Sequence, residues 1–141
     1  MQIKGDIYKR GKFWIIECPT LDASTQGRSR SEALSMMVDW VRTVVDDDAY
    51  PVEIQAVGKS GFEMTFSRPG PVVAVILTRT RMMSKATLAE VARALGSKSP
   101  NSVYQYETGR HDPSFQKVSD ILRAMGFELV VSVTKSKPRV A

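Results

Sequence analysis

The chain has 141 residues, of which 43% are hydrophobic and 25% are charged, and its formal net charge is +5. This apolar fraction is ordinary for a globular protein and excludes disorder throughout, while a single cysteine, Cys18, excludes an internal disulfide and suits a reducing compartment. The longest apolar run, residues 72–77, is too short to span a membrane, and the first ten residues lack the apolar core of a signal peptide. We therefore expect a cytoplasmic protein without a membrane segment.

The positive charge is concentrated in the second half of the chain. Residues 1–68 contain nine Lys/Arg and ten Asp/Glu, whereas residues 69–141 contain eleven Lys/Arg and five Asp/Glu. A local excess of cations is the electrostatic signature of a protein that binds the phosphate backbone of a nucleic acid. We therefore look for a nucleic-acid-binding unit in the second half.

The first half alternates apolar and polar residues as half-buried strands do. Strands are predicted at residues 3–8, 13–17, 23–26, 52–58 and 62–67. Between the third and the fourth, Ser29 and Glu32 have capping-box spacing, and apolar residues at helical spacing continue to Val45. The order strand, strand, strand, helix, strand, strand predicts an α+β fold in which one helix packs on a small antiparallel sheet.

Two features near the end of this helix are candidates for contact with a partner. Trp40 lies beside the apolar stripe and belongs either to the core or to an interface. Asp46, Asp47 and Asp48 are unfavourable at the negative end of a helix dipole. They therefore lie past the last turn in solvent, or they are held for a basic partner.

A break in the pattern separates the two halves. Residues 67–71 read Ser-Arg-Pro-Gly-Pro, which interrupts both helix and strand, and the charge balance changes sign here. We therefore predict a domain at 1–67, a linker at 68–71, a second domain at 72–134 and a flexible tail at 135–141.

The second domain is predicted to be all-α, beginning with two helices. Residues 72–77 are rich in β-branched side chains, but the run continues to residue 83 without a turn, which favours a helix of about three turns. Thr87 and Glu90 then form a second capping box, and Gly96 ends the short helix behind it.

Two further helices complete this domain. Ser99 is a candidate N-cap with Pro100 at the first position of a helix over 100–107. The last helix follows residues 112–114, and its predicted apolar face consists of Phe115, Val118, Ile121, Leu122 and Met125. Two short helices joined by a tight turn and flanked by packing helices are the plan of a helix-turn-helix.

The third of these four helices carries groups that can read DNA. We expect base contacts from Asn101, Ser102, Tyr104 and Gln105, because amide side chains suit the donor and acceptor pattern of adenine. We expect phosphate contacts from Thr87, Lys98, Arg110 and His111. The partner predicted for this half is operator DNA.

After Gly126 the period changes to two. Phe127, Leu129, Val131 and Val133 alternate with more polar positions, which predicts a strand at the end of a helical domain. A bare apolar strand is a liability unless another strand pairs with it. The same strand of a second copy would cover it and give a homodimer or higher oligomer; folding back onto the N-terminal sheet is the competing explanation.

Both halves carry motifs of known families. Residues 17–22 (Glu-Cys-Pro-Thr-Leu-Asp), 25–27 (Thr-Gln-Gly) and 29–34 (Ser-Arg-Ser-Glu-Ala-Leu) resemble the HicB antitoxin domain. Residues 84–126, which include Leu-Gly-Ser-Lys-Ser-Pro-Asn at 95–101 and Tyr-Glu-Thr-Gly-Arg at 106–110, resemble an Xre/Cro-type helix-turn-helix of the kind fused to HicB domains.

The resemblance implies an antitoxin of a type II system. Such proteins bind a small basic mRNA-cleaving toxin, HicA, through the N-terminal domain and repress their own operon through the C-terminal one. The residues that we expect to face the toxin are Trp40, Asp46, Asp47 and Asp48.

An enzyme is the class that the sequence disfavours. The chain has a single histidine, His111, in the loop after the third helix of the second half, and three consecutive aspartates cannot all face one metal from a helix. No phosphate-binding or dinucleotide fingerprint is present, so we expect no catalysis, no metal and no cofactor. A free-standing helix-turn-helix repressor with a ligand-sensing N-terminal domain stays open as the alternative.

Overall fold

A computed structural model describes residues 1–136 and shows an α+β layer followed by helices, as the sequence predicts. The elements are β1 (Gln2–Arg10), β2 (Phe13–Cys18), β3 (Ala23–Gly27), α1 (Arg30–Val45), β4 (Val52–Val57), β5 (Gly61–Phe66), α2 (Gly70–Ser84), α3 (Leu88–Ala94), α4 (Asn101–Glu107) and α5 (Phe115–Ala124). Within the described residues the strands form one antiparallel sheet in the order β3-β2-β1-β5-β4. No helix in this part of the chain is long and apolar enough to cross a membrane.

Helix α1 packs on one face of the sheet, and its start is fixed by local sequence. The Ser29 hydroxyl accepts a hydrogen bond from the backbone N–H of Glu32 at 3.0 Å, as the capping-box spacing predicts. Gly27 lets β3 approach the helix closely, because a Cβ at this position would lie 2.4 Å from the backbone nitrogen of Ala33. The buried side chains of α1, Met37 and Val41 among them, then form the first core with the inner face of the sheet.

Helix α2 belongs to both halves of the molecule. Val72 is buried in the first core, whereas Leu77, on the same helix, is buried in the second core with residues of α3, α4 and α5. A helix that is apolar on more than one side is buried on more than one side. The continuous apolar run 72–77 therefore fits a helix that packs against two cores, although its β-branched residues favour strands. Gly70 and Pro71, predicted as linker, lie in the first turn of α2; the division into domains stays a prediction.

Two details of the predicted helices are wrong. Ser99 does not cap α4 with its side chain, because Pro100 already has helical dihedrals and no side-chain capping bond is formed at this end. Phe115, placed by its spacing on the apolar face of α5, is 71% exposed, because it is the first residue of the helix and lies beyond the edge of the second core. Val118, Ile121, Leu122 and Met125 do pack there.

The predicted C-terminal strand is not formed in the isolated chain. Residues 127–136 have no regular secondary structure and do not join the sheet, so the competing explanation of folding back is not observed either. A strand needs a second strand to accept its hydrogen bonds, and the described chain supplies none here. Leu129 packs on the second core, whereas Val130 and Val133 are 87% and 96% exposed. Of the predicted tail, residues 137–141 lie outside the described residues.

Candidate nucleic-acid interface

Local hydrogen bonds fix both ends of α3, the first helix of this pair. The Thr87 hydroxyl accepts from the N–H of Glu90 at 3.1 Å, and the Glu90 carboxylate accepts from the N–H of Thr87 at 2.9 Å, so the predicted capping box is present. After α3 the chain reverses at Gly96, whose φ of +79° is the left-handed conformation that favours glycine. The N–H of Ser97 then donates to the carbonyl of Ala92 at 2.9 Å, which closes the end of the helix.

A small apolar core behind these helices decides which face of α4 points outward. The fully buried members of this second core are Leu77, Val91, Ala92, Val103, Ile121 and Leu122. Val103 directs one side of α4 inward. The opposite side, on which Asn101, Tyr104 and Thr108 follow one another at helical spacing, is exposed to solvent.

A buried ion pair fixes the far end of α4. The guanidinium of Arg81, on α2, donates from Nε to Glu107 Oε1 at 2.6 Å and from Nη2 to Glu107 Oε2 at 3.0 Å, and also donates to the Ala86 carbonyl at 3.1 Å. The two side chains are only 18% and 6% exposed. The hydrogen bonds to Glu107 raise the pKa of the Arg81 guanidinium above its ordinary value, so the bidentate pair keeps its charge and holds α4 against α2.

This pair was not predicted from the sequence, although one signal was present. Glu107 lies four residues after Val103 and therefore on the inward side of α4. A carboxylate at such a position needs a cation, because an unpaired buried charge is strongly disfavoured.

The four predicted base-contacting residues are unequally available. Asn101 is exposed and Tyr104 is 44% exposed, so both project outward from α4. Gln105 is half-buried, with its side-chain amide 3.5 Å from the Ser102 carbonyl, a distance too long to hold it firmly. The Ser102 hydroxyl donates to the Ser99 carbonyl at 2.8 Å, and its free lone pairs leave it mainly as an acceptor.

The predicted phosphate-contacting residues surround this face. Lys98, in the turn before α4, and Arg110 and His111, in the loop after it, are all exposed. Thr87 is exposed as well, but its capping box places the Glu90 carboxylate at the start of α3, where it would repel a phosphate. Of the four, Thr87 is therefore the least suited to this role.

Two further exposed cations belong to the helix-turn-helix and were not predicted. Lys85 ends α2 in the left-handed conformation and is exposed, as is Arg93 in the last turn of α3. Both fall within or beside the predicted second helix, and only the charge excess of this half pointed to them.

The residues predicted to face a toxin differ in the contacts that they make within the described chain. Trp40 is half-buried against the first core, with the Arg79 guanidinium 5.6 Å from its ring centroid. Asp47 pairs with Arg68 at 2.9 Å, whereas Asp46 and Asp48 are exposed and form no ion pair with a described residue.

Arg79, on α2, binds the segment between β2 and β3 of the first half. Its guanidinium donates from Nε to the carbonyl of Leu21 at 3.2 Å and from Nη2 to the carbonyl of Asp22 at 2.6 Å. It also lies 3.5 Å from the Asp22 carboxylate. Because Arg79 is on α2, the same helix that carries Arg81, the sheet and the helix-turn-helix are braced by one element.

The described residues offer little to metal or thiol chemistry. No group of three or more His, Cys, Asp or Glu side chains within residues 1–136 is arranged to hold a metal ion. Cys18 is fully buried, and burial raises the pKa of its thiol to about 11, so the side chain is a neutral member of the first core.

The fold and the outward polar face of α4 define the second half as a helix-turn-helix DNA-binding domain. Residues 73–131 match the family model of a helix-turn-helix domain. This match does not extend into residues 1–72, where the resemblance to the HicB domain stays a prediction. No curated protein matches the chain. The helix-turn-helix supports a role in transcription regulation.

Proposed function

We propose that the protein is the antitoxin of a HicA/HicB-type toxin-antitoxin system. It neutralises an mRNA-cleaving toxin by direct binding through the first half and represses its own operon through the helix-turn-helix. The observation that carries the proposal is the joining of a basic helix-turn-helix to an α+β layer of balanced charge through one shared helix, α2. The resemblance of residues 17–34 to the HicB domain supports the assignment of the first half.

Operator recognition is assigned to the outward face of α4. Asn101 and Gln105 supply amide groups for base edges, and Tyr104 supplies a flat ring and a hydroxyl beside them. Lys98 and Arg110, on either side of the helix, fix its depth in the major groove through the phosphates.

The first half binds a basic protein. Asp46 and Asp48 are exposed beyond the end of α1 and form no ion pair with a described residue, so they are free to meet cations of a partner. Asp47 is already compensated by Arg68 and contributes less. Trp40 provides a partly exposed aromatic surface at the same end of the helix.

The repressor acts as a homodimer whose contact includes residues 127–133. One small helix-turn-helix covers a single half-site, and operators commonly pair two half-sites about 34 Å apart. Exposed Val131 and Val133, on a segment without regular structure, would gain both apolar burial and backbone pairing from the same segment of a second copy. Removing residues 127–141 should give a monomer with weak operator affinity; a truncated dimer with full affinity would place the interface elsewhere.

Co-expression with the neighbouring reading frame tests the antitoxin function. Where that frame encodes a small basic protein that arrests growth, the intact chain should restore growth and elute with it as one complex. The double variant Asp46→Lys/Asp48→Lys should weaken the complex without changing operator binding, whereas Asp120→Lys, on α5, serves as a control outside the first half. Absence of any complex with a toxic neighbour would contradict the proposal.

A ligand-sensing repressor is the second candidate, and one feature favours it. A broad open groove lies between the two halves and is lined mainly by apolar side chains, including those of Val44, Val73, Ile76, Phe127 and Leu129. A small molecule bound there would contact α2 directly. The candidate predicts operator release by a small molecule in the absence of any protein partner.

A further inference from the structure

The cations of the first half collect at one end of the sheet. We name this region the basic end; it consists of Lys9, Arg10, Lys12, Arg28, Arg30 and Lys59. These are six of the nine Lys/Arg in residues 1–68, so most of the positive charge of an overall balanced half lies on a small part of its surface.

Strand register brings these residues together. Lys9 pairs with Trp14 across the β1–β2 hairpin, and Trp14 pairs with Gly27, the residue directly before Arg28. Neighbouring strands are about 4.8 Å apart, so the hairpin tip and the end of β3 are adjacent.

Arg30 adds the β4–β5 turn to the same region. Its Nη2 donates to the carbonyl oxygens of Gly58 and Lys59 at 2.7 and 3.2 Å. The Lys59 side chain therefore lies at the end of the sheet to which the hairpin and the start of α1 also belong.

The cations of the basic end are not neutralised by ion pairs within residues 1–136. Five of the six side chains belong to exposed residues, and none of the six forms an ion pair among residues 1–136. The nearest carboxylate in sequence, that of Glu32, accepts from the backbone N–H of Arg28 at the helix start. Uncompensated like charges repel one another in the folded chain, and a polyanion would relieve that repulsion.

Aromatic side chains accompany these cations. Phe13, at the hairpin tip, is 40% exposed and lies on the sheet face that α1 does not cover. Tyr8 is on the same face, half-buried, with the Arg10 guanidinium 5.7 Å from its ring centroid and its hydroxyl donating to the Glu17 carboxylate at 2.9 Å. Flat rings next to cations are the surface on which unpaired bases stack while the cations follow the phosphates.

The geometry points to a second nucleic-acid site at the basic end, which binds single-stranded chains. A duplex would offer the cations its phosphates but no free base faces for Phe13 and Tyr8. The site is separate from the helix-turn-helix, because α2 leaves the sheet at the opposite end, where Phe66 donates its N–H to the Met1 carbonyl. Between those ends β1 has nine residues, a length of about 27 Å.

Anisotropy of a labelled oligouridylate of about 12 nucleotides, titrated with the intact protein at about 50 to 200 mM salt, tests this site. The triple variant Arg10→Ala/Lys12→Ala/Arg28→Ala should bind at least about tenfold more weakly and lower the salt slope by about 2. Phe13→Leu, which keeps the apolar volume and removes the ring, should weaken binding about fivefold or more. Thermal melting of each variant confirms that it is folded.

Two controls separate this site from general charge and from the helix-turn-helix. The variant Lys117→Ala/Arg123→Ala/Lys135→Ala removes the same formal charge elsewhere and should bind the oligouridylate almost normally. Gln105→Ala/Arg110→Ala should lose operator binding and keep oligouridylate binding. Oligodeoxyuridylate of the same length differs only in the sugar and tells whether the 2′-hydroxyl is read. Binding of either polymer at this end supports the site.

Three outcomes would overturn the proposal. The first is that neither polymer binds at the lowest salt, and the second is that both triple variants weaken binding equally. The third is that the Gln105→Ala/Arg110→Ala variant loses oligouridylate binding.

Discussion

The two halves of the molecule are each stabilised in a different way. Among the described residues, the first core contains fourteen buried residues and the second contains six. Apolar burial at roughly 25 cal/mol per Å² therefore gives the sheet layer a much larger stabilisation than the helices receive. The helical half adds a buried bidentate pair, Arg81–Glu107, at the end of the helix that must be placed most accurately. Where the apolar core is small, directional polar contacts determine position.

The largest expected effect comes from breaking that pair. Glu107→Ala leaves the Arg81 guanidinium buried without a carboxylate, which should cost about 3–5 kcal/mol of unfolding free energy in urea denaturation. The control is Glu128→Ala, which removes the partner of Arg123 in an ion pair whose side chains are 66% and 70% exposed and should cost no more than about 1 kcal/mol. Equal losses in the two variants would show that burial does not distinguish these pairs.

The next expected effect tests whether the two halves unfold together. Leu77→Ala empties part of the second core and should cost about 2–5 kcal/mol. Both tryptophans, Trp14 and Trp40, lie in the first half, so their fluorescence reports on the sheet layer and on the contact of Trp40 with Arg79 of α2. Because α2 is common to both cores, the fluorescence transition should shift as far as the helical signal in circular dichroism. An unshifted fluorescence transition would mean that the halves unfold independently.

A smaller effect is expected at the DNA-reading face. Gln105→Ala should weaken operator binding by about 1–3 kcal/mol and relax specificity at one base pair. Gln116→Ala removes the same side chain from α5, where it donates to Asp120, and should leave operator affinity unchanged. The measurement is a titration with the operator and with a scrambled duplex; unchanged binding of both by Gln105→Ala would remove α4 from recognition.

The smallest expected effect concerns the phosphate contacts. Arg110→Ala should weaken operator and scrambled duplex alike and reduce the salt slope of binding by about 1. Arg123→Ala is the matched control, because Arg123 lies on α5 and pairs with Glu128. A loss confined to the operator would mean that Arg110 reads bases instead.

The elements that the sequence predicts well are those with local causes. The side-chain cap of Ser29, the capping box at Thr87 and the left-handed glycine at 96 act over a few residues, and all three are found in place. The outward side of α4 also follows from spacing, since Val103 must face inward. These features need no knowledge of what packs where.

The features that the sequence does not reveal depend on distant partners. Arg81 and Glu107 are 26 residues apart, and only the packing of α4 on α2 joins them. The alternation at 127–133 predicts a strand, yet a strand forms only where another backbone accepts its hydrogen bonds. The same limit applies to the basic end, whose six cations come from three separate segments of the chain.

The double membership of α2 restricts how this architecture can be recombined. A breakpoint at the Pro-Gly segment 67–71 would exchange Val72 together with the helices and leave a gap in the core of the sheet layer. The turn at 85–87 lies between α2 and α3, but a breakpoint there would separate Leu77 from its neighbours on α3, α4 and α5. A chimaera with a different helix-turn-helix domain therefore needs a hybrid α2, with one side taken from each parent protein.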